Sequence, residues 1–317
     1  MAYINVDEVY ILDNTGLQVD KTTDLPFKNA SLSETEKAQA RANIGAGGSN
    51  RNLLDNPWFT VNQRGFTSGI PSAGYSTFDR WKVLGGTATY TKRSPYGITI
   101  NCSSDYAYDQ IVAVEKAVIL GKTVTISVMI DGVVYSGTGV ATNESYSVTV
   151  DAGIVKIRLG IFNAINTTYP FFRISGNSPW GTENIDAVKL ELGSVSTLAN
   201  DVPPNYAEEL LKCEYRCVVY DLPTNTLLCR GIATSTTNIA GVIDLPRDMA
   251  EDKTPTVSLT GSVTTPAGNT ITSITAATYA RKNKLRVNFT GTGFTSGTVY
   301  DIFTGSASPT ITISADL

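Results

Sequence analysis

The segment NLLDNPWFTV, Asn52–Val61, together with the distant segment IDAVKLELG, Ile185–Gly193, decides the fold that the sequence predicts. Both contain closely spaced apolar residues, as β-strands do, and they enclose a region of short alternating patterns. We predict that the two segments are strands at the two ends of one β-sandwich, which they close. The region between them, including FDRW at Phe78–Trp81, then forms a single module.

Two hairpin patterns support this sandwich independently. Thr123–Ile130 alternates with a period of two, and Asp131-Gly132 separates it from Val133–Tyr135, which is a strong hairpin signal. Ser145–Val150 and Ile154–Phe162, with Asp-Ala-Gly between them, predict a second hairpin with a longer loop. Many short strands separated by turn residues are typical of sandwiches and barrels.

The pattern changes twice after residue 200. Residues 203–217, PPNYAEELLKCEYRC, predict a short bridging helix in which Glu208 and Lys212 form a favourable pair four residues apart. Residues 218–317 are rich in Thr and Ser and predict a second, smaller β-sandwich. Its candidate strands are Val218–Tyr220, Leu227–Arg230, Ala240–Leu245, Thr256–Leu259, Thr270–Thr275, Leu285–Phe289, Thr298–Phe303 and Thr310–Ile313.

The N-terminal part differs from the rest. Residues 1–30 contain too few apolar residues to bury a core alone. Ser31–Ile44 is the clearest helix, because Ser33 can cap its N-terminus, Glu36 completes a capping box and Gly45 follows its end. The thin apolar face of this helix suits either a connector or a helix that packs against copies of itself. A Gly-rich hinge follows.

The predicted chain is therefore mainly β, with two β-sandwich, jelly-roll-like domains joined by a short helix. The domains have these boundaries: an N-terminal segment at 1–30, a helix and hinge at 31–51, the first sandwich at 52–200, a linker helix at 201–217 and the second sandwich at 218–317.

The composition excludes several classes of function. The net charge is −4 and no long basic run occurs, so we expect no nucleic-acid binding through phosphate groups. No apolar stretch reaches about 18 residues, so we expect no membrane insertion. The N-terminus lacks the basic and apolar regions of a secretory signal, which predicts synthesis in a cytosol.

No catalytic constellation is recognisable. The chain has no His, which excludes nucleophilic sites that pair Ser, Cys or Thr with a His base. We predict no catalytic residue, no cofactor and no metal site. Cys213 and Cys217 lie four residues apart on a predicted helix, as metal ligands can. Without His or a CxxC motif, buried free thiols are the better interpretation.

Two sets of motifs resemble a known class of proteins. SLSETEKAQARANIGA, at residues 31–46, resembles a linker that recurs in bacteriophage tail-fibre and related virion-fibre proteins. The ordered series NLLDNPWFTVNQRG, YSTFDRW and VKLELGS is similar to a module of phage tail proteins, itself similar to carbohydrate-binding jelly rolls. The resemblance covers residues 30–215.

This resemblance implies a fibre protein of the virion, made in the host cytoplasm and released on lysis. Residues 1–30 would attach it to another virion structural protein, the helix would join three copies in a homotrimer, and residues 218–317 would form the tip. Host-surface glycans would be the ligand. A head fibre or decoration on the capsid is the alternative. Some carbohydrate-binding jelly rolls hold calcium, for which Asp186 and Asn184 are weak candidates.

Glycan binding requires flat aromatic surfaces with polar groups that fix the orientation of the sugar. The candidates are Trp180 in a loop, Tyr106 and Tyr108 in a polar loop, and Trp58 after Pro57, although Trp58 also suits the core. Trp81 of FDRW is expected to be in the core.

A glycan depolymerase is the remaining alternative, because pairs of carboxyl groups hydrolyse glycosidic bonds. Asp105 and Asp109 form one candidate pair, and Asp55 near Trp58 is a further candidate. All three have the sequence context of ordinary loop carboxylates, and no β-helix repeat is present.

Overall fold

A computed structural model describes residues 49–316 apart from 103–105, 112–115, 143–145, 162–169, 177–179, 251–253, 282 and 306–308, together with 11–12 and 18–19. The chain divides into two compact units, Met1–Gly48 and Ser49–Leu317. In the first unit, β1 (Ile11–Leu12) pairs antiparallel with β2 (Gln18–Val19). The helix predicted at residues 31–44 lies outside the described residues.

The first part of the second unit is a β-sandwich, as predicted. One sheet has the strand order β10-β11-β12-β7-β4 and the other β3-β5-β6-β13-β8-β9. The strands are β3 (Ser68–Gly69), β4 (Lys82–Gly86), β5 (Thr89–Lys92), β6 (Ile98–Cys102), β7 (Tyr106–Ile111), β8 (Thr123–Ile130), β9 (Val133–Val140), β10 (Val148–Ala152), β11 (Val155–Ile161), β12 (Pro170–Gly176) and β13 (Gly181–Leu192), with the short helix α1 (Lys116–Ile119) before β8.

Both predicted hairpins are present. Asp131 and Gly132 have φ angles of 45° and 79°, the left-handed conformation that a tight turn between β8 and β9 requires. The second turn is shorter than predicted, because Ala152 already pairs with Val155 and only Gly153 and Ile154 connect the strands.

The prediction of a strand at Asn52–Val61 is wrong. Asn56 and Phe59 have φ angles of 50° and 52°, which interrupt an extended backbone. The segment forms turns instead and lies along β13, where Leu53 N–H donates to the carbonyl of Leu190 at 2.8 Å. The partner segment is part of β13, as predicted.

The bridging helix is also present, as α2 (Tyr206–Glu214). The Asn205 side chain caps its N-terminus by accepting a hydrogen bond from the backbone N–H of Ala207 at 2.9 Å. Lys212 pairs with Glu209 at 2.9 Å rather than with Glu208 as predicted, because Glu209 lies on the buried side of the helix.

The C-terminal part contains every predicted strand, and its larger sheet closes on itself. A three-stranded sheet has the order β14-β22-β17, and a six-stranded barrel has the order β15-β16-β20-β19-β18-β21. The strands are β14 (Cys217–Asp221), β15 (Leu227–Ala233), β16 (Asn238–Asp244), β17 (Thr256–Thr260), β18 (Val263–Thr264), β19 (Thr270–Arg281), β20 (Lys284–Gly291), β21 (Val299–Thr304) and β22 (Thr310–Ser314).

Each β-region has its own apolar core. The sandwich core contains Trp81 and Phe172, and the C-terminal core contains Phe289 and Ile313, which joins the three-stranded sheet to the barrel. Both α-helices are short, and in the described part of the chain no helix has the length and apolarity needed to cross a membrane.

The four cysteines are free and buried, and we expect them to be unreactive in the folded chain. Burial raises the pKa of Cys229 to about 12 and also raises the pKa of Cys213 and Cys217. Because the thiolate is the reactive form, a thiol reagent at about pH 8 should modify almost none of them. The same titration in denaturant should modify all four. Rapid labelling of the folded chain would contradict this burial.

Candidate ligand-binding site

The outer face of the five-stranded sheet carries a row of polar and charged side chains. Cross-strand pairing aligns Thr149, Arg158, Arg173, Asp109 and Lys82 across β10, β11, β12, β7 and β4. Directly paired residues share one face of a sheet, and their sequence neighbours point to the other face. Those neighbours are buried in the core, so the row faces outward.

Two aromatic side chains lie beside this row. Tyr146, just before β10, is 39% exposed, and its ring meets the ring of Phe171 edge-on at 6.0 Å between centroids. The guanidinium of Arg158 lies 4.8 Å from the centroid of Tyr146, and that of Arg173 lies 4.9 Å from the centroid of Phe171. Both distances are typical of cation–π contacts.

Arg173 is fixed by its hydrogen bonds. Its Nε and Nη2 donate to the two carboxylate oxygens of Asp109 at 2.7 and 2.8 Å, and its Nη1 donates to the hydroxyl of Tyr146 at 3.0 Å. Burial raises the pKa of Asp109, and the bidentate contact with Arg173 opposes this rise. Arg173 therefore holds Tyr146 in place on the sheet.

The outer face is more positive than the chain as a whole. Its described strands carry four cationic side chains, Lys82, Lys156, Arg158 and Arg173, against two anionic ones, Asp109 and Asp151, whereas the whole chain has a net charge of −4. Lys156 pairs with Asp151 at 3.0 Å. No carboxylate among the described residues pairs with Arg158.

Of the aromatic residues predicted to bind glycans, the three whose side chains are described do not form one site. Tyr108 lies on β7 rather than in a loop and is fully buried, where its hydroxyl contacts that of Thr77 at 2.6 Å, so it cannot contact a ligand. Trp58 is only 4% exposed and packs edge-on against Tyr96. Tyr106 is part of β7, and its side chain lies outside the described residues. Trp180 is 40% exposed, immediately before β13 of the other sheet.

The structure describes two of the three carboxylates considered as catalytic candidates, and both form ion pairs with arginines. Asp109 is paired with Arg173, and Asp55 is paired with Arg80 at 3.0 Å. Asp105 lies outside the described residues. The calcium candidates are also engaged, because Asp186 accepts from Arg93 at 2.5 Å and Asn184 accepts from the hydroxyl of Thr99 at 2.7 Å.

The cysteine pair is separated by the end of the helix. Cys213 is on α2, whereas Cys217 begins β14. The prediction that both lie on one helix is therefore wrong. Within the described residues, no three His, Cys, Asp or Glu side chains come together as metal ligands do.

The motif residues that carry the resemblance are structural. Asn52 donates from Nδ2 to the carbonyl of Val188 at 2.9 Å and accepts at Oδ1 from the N–H of Leu190 at 3.2 Å. Asn56 is fully buried and donates to the carbonyl of Asp79 at 3.0 Å. The two asparagines therefore connect the first motif to β13 and to FDRW.

The Lys of the VKLELGS motif is a fully buried cation. Lys189 Nζ contacts both carboxylate oxygens of Asp201, at 2.7 and 2.9 Å, and the hydroxyls of Thr197 and Ser49 at 2.8 and 2.7 Å. Glu191, two residues further along β13, accepts from the N–H of Thr197 at 2.8 Å. These contacts fix the segment that leaves the sandwich.

The NQRG and FDRW motifs connect the sandwich to the C-terminal region. Asp316, which follows β22, pairs with Arg64 at 2.9 Å and with Arg80 at 3.1 Å. Arg64 also pairs with Asp79 at 3.1 Å, and Gln63 donates to Asp79 at 2.6 Å and to the first carbonyl of β14 at 2.9 Å. Burial raises the pKa of Asp79, and Arg64 opposes this rise.

Two concave surfaces lie elsewhere on the second unit. A cleft of about 200 Å³ between the first motif and α2 includes Asp55 and Trp58, but it is smaller than a typical ligand pocket of about 300 Å³ or more. An open groove of about 640 Å³ on the barrel is lined by Ile232, Val242 and Val299 and flanked by Arg286. Neither has an exposed aromatic ring among the residues that line it.

Comparisons with known proteins place few constraints on this chain. The sequence matches no protein-family model, and no curated protein is significantly similar to it. Among solved structures it is similar to the N-terminal CBM22-1–CBM22-2 tandem domain of Xyn10C from Paenibacillus barcinonensis. The two chains are 10% identical with a TM-score of 0.24, over 84% of this chain and 97% of the other.

Proposed function

We propose that this chain is a structural fibre protein of a phage virion that adheres to host-surface glycans without cleaving them. The observation that supports adhesion is the outer face of the five-stranded sheet. There an exposed tyrosine lies among arginine, lysine and aspartate side chains. An aromatic surface with a few oriented polar groups is the usual arrangement for binding a sugar.

The virion role is supported by the motifs. SLSETEKAQARANIGA resembles the linkers of phage fibres, and the second set of motifs forms the contacts that join the sandwich to the C-terminal region. A fixed connection of this kind suits a fibre that must present a binding face at a distance from its attachment point. Attachment through residues 1–30 to the tail, rather than to the capsid, is part of the proposal.

Adhesion in this proposal depends on copy number. A homotrimer presents three outer faces, and several trimers on one virion multiply weak contacts. Linked sites raise overall affinity by about 10²–10⁴ without any new contact, provided that the spacing allows simultaneous binding. Each single site is then expected to bind weakly.

Glycan arrays probed with the full chain test the binding function. We expect Tyr146→Ala to weaken binding about tenfold, because it removes the exposed aromatic ring. Trp180→Ala is the matched control, since Trp180 is equally exposed but belongs to the other sheet. Loss of binding in Trp180→Ala with retention in Tyr146→Ala would place the site elsewhere. Release of reducing sugar from the bound glycan would contradict adhesion without catalysis.

Virions labelled with an antibody against residues 218–317 test the location. We expect label at the tip of the tail. Label over the capsid would identify a head fibre. Protein that is free in the lysate, with none on virions, would contradict both virion roles and favour the alternative of a glycan-cleaving enzyme.

A further inference from the structure

Within the described part of the outer face, Arg158 is a cation that pairs with no carboxylate. Two other cations of the face, Arg173 and Lys156, form ion pairs with Asp109 and Asp151. Arg158 is half-buried, and its guanidinium contacts the Tyr146 ring. A guanidinium retains its charge at any physiological pH, so a site that holds one without a carboxylate favours an anion.

The geometry favours a planar anion attached to a sugar ring. The guanidinium of Arg158 lies over the Tyr146 ring, 4.8 Å from its centroid, and this contact limits the positions that the guanidinium can take. This arrangement matches a carboxylate, which accepts two parallel hydrogen bonds from one guanidinium. Tyr146 is 39% exposed, so a sugar ring against the exposed part of the tyrosine would bring its own carboxylate close to Arg158.

We propose that the outer face binds an acidic glycan and that Arg158 pairs with the carboxylate of a uronic or sialic acid residue. This inference rests on the proposed function and names its ligand class. Tyr146 provides the surface for the sugar ring, and Arg173 is a positioning residue that holds Tyr146 through its hydroxyl. Lys156 lies on the same face, two residues before Arg158, and contributes positive charge.

Charge complementarity over the face supports the same ligand. The described strands of this face carry two more cationic than anionic side chains in a chain of net charge −4, and this local excess favours anions at the face. The carboxylate of Asp151, whose side chain is exposed, can still accept a hydrogen bond from a sugar hydroxyl. A neutral glycan would use Tyr146 but leave the Arg158 guanidinium without a partner.

The test compares acidic oligosaccharides with their carboxyl-reduced counterparts. The probes are an oligogalacturonate, a glucuronate-containing oligosaccharide and a sialylated oligosaccharide, each measured against the full chain by calorimetry. We expect at least one to bind about tenfold more tightly than its reduced form, because a charge-assisted bidentate contact is lost on reduction. Arg158→Gln should abolish this difference, and Arg158→Lys should retain part of it.

Arg286→Gln is the matched control, because Arg286 is an exposed arginine on the barrel and should not affect the difference. If acidic and carboxyl-reduced glycans bound equally well, and Arg158→Gln bound both as the wild type does, the inference about Arg158 would be overturned. The proposed adhesion to glycans would not be affected by that result. Binding only to phosphorylated glycans would also overturn it. Absence of binding to every glycan on the array would overturn the proposed function as well.

Discussion

Replacing Asp316 with asparagine is expected to separate the unfolding of the sandwich from that of the C-terminal region. The substitution keeps the shape of the side chain but removes the charge that Arg64 and Arg80 share. Breaking a buried ion pair on one side costs about 3–5 kcal/mol, because the remaining charges stay desolvated. Arg64 still pairs with Asp79 and Arg80 still pairs with Asp55 in this variant. We therefore expect the contact between the two regions to be destabilised by about 3 kcal/mol, at the lower end of this range.

Two spectroscopic signals can follow this uncoupling. All three tryptophans, Trp58, Trp81 and Trp180, lie in the sandwich part of the chain, so their fluorescence reports on that part alone. Far-UV circular dichroism reports on both β-regions. In denaturant, the two signals should coincide for the wild type and separate for Asp316→Asn. The control Asp301→Asn removes an exposed partner of Arg230 and should leave the curves coincident.

Replacing Lys189 with alanine is expected to have the largest effect on the sandwich itself. The Lys189 side chain is fully buried, and the Asp201 side chain is 11% exposed. Removing the ammonium leaves Asp201 and Glu191 close together without a cation, and the lost side chain leaves a cavity. We expect a loss of about 4 kcal/mol in the free energy of unfolding of the sandwich, read from tryptophan fluorescence.

Lys284→Ala is the control for Lys189→Ala, because Lys284 pairs with Asp244 at an exposed position on the barrel. It should have little effect on either signal, since exposed ion pairs contribute little. If both lysine variants unfolded at the same denaturant concentration as the wild type, the buried cation would have no structural role and the account of the VKLELGS motif would be wrong.

The sequence predicted those parts of the fold that depend on local patterns. The Asp131-Gly132 turn requires two residues with positive φ, and this pair supplies them at a point between alternating strands. The helix α2 is predicted because the two prolines at 203–204 are followed by apolar residues at Leu210, Leu211 and Cys213, whereas its cap, Asn205, is seen only in the structure. The strands after residue 218 follow from their alternation of inward and outward residues.

The segment Asn52–Val61 shows where this reasoning fails. Its apolar residues are as dense as those of a strand, but the burial does not alternate, since Trp58 and Phe59 are adjacent and both are buried. Side-chain hydrogen bonds of Asn52 and Asn56 hold the turns instead, and two of the partners of Asn52, Val188 and Leu190, are more than one hundred residues away in the chain. Closure of the barrel depends on such distant pairings too.

The same dependence on distant pairings explains why the candidate site could not be predicted from the sequence. Tyr146, Arg158 and Arg173 come from three parts of the chain, and only the register of β10, β11 and β12 brings them to one face. The aromatic residues chosen from sequence were those in apparent loops, and Tyr108 proved to be a core residue of β7. The available signal was a single Arg in a strand otherwise rich in apolar residues, and it is present in both β11 and β12.

Chemical cross-linking of a bound glycan tests most directly whether the outer face of the five-stranded sheet is the binding site. A lightly periodate-oxidised acidic glycan carries aldehydes that form imines with nearby lysines, and reduction makes these bonds permanent for mapping by mass spectrometry. We predict modification of Lys156 and Lys82, suppressed by excess unoxidised glycan. Modification of Lys284 on the barrel or Lys212 beside the small cleft, with Lys156 and Lys82 unmodified, would contradict the account.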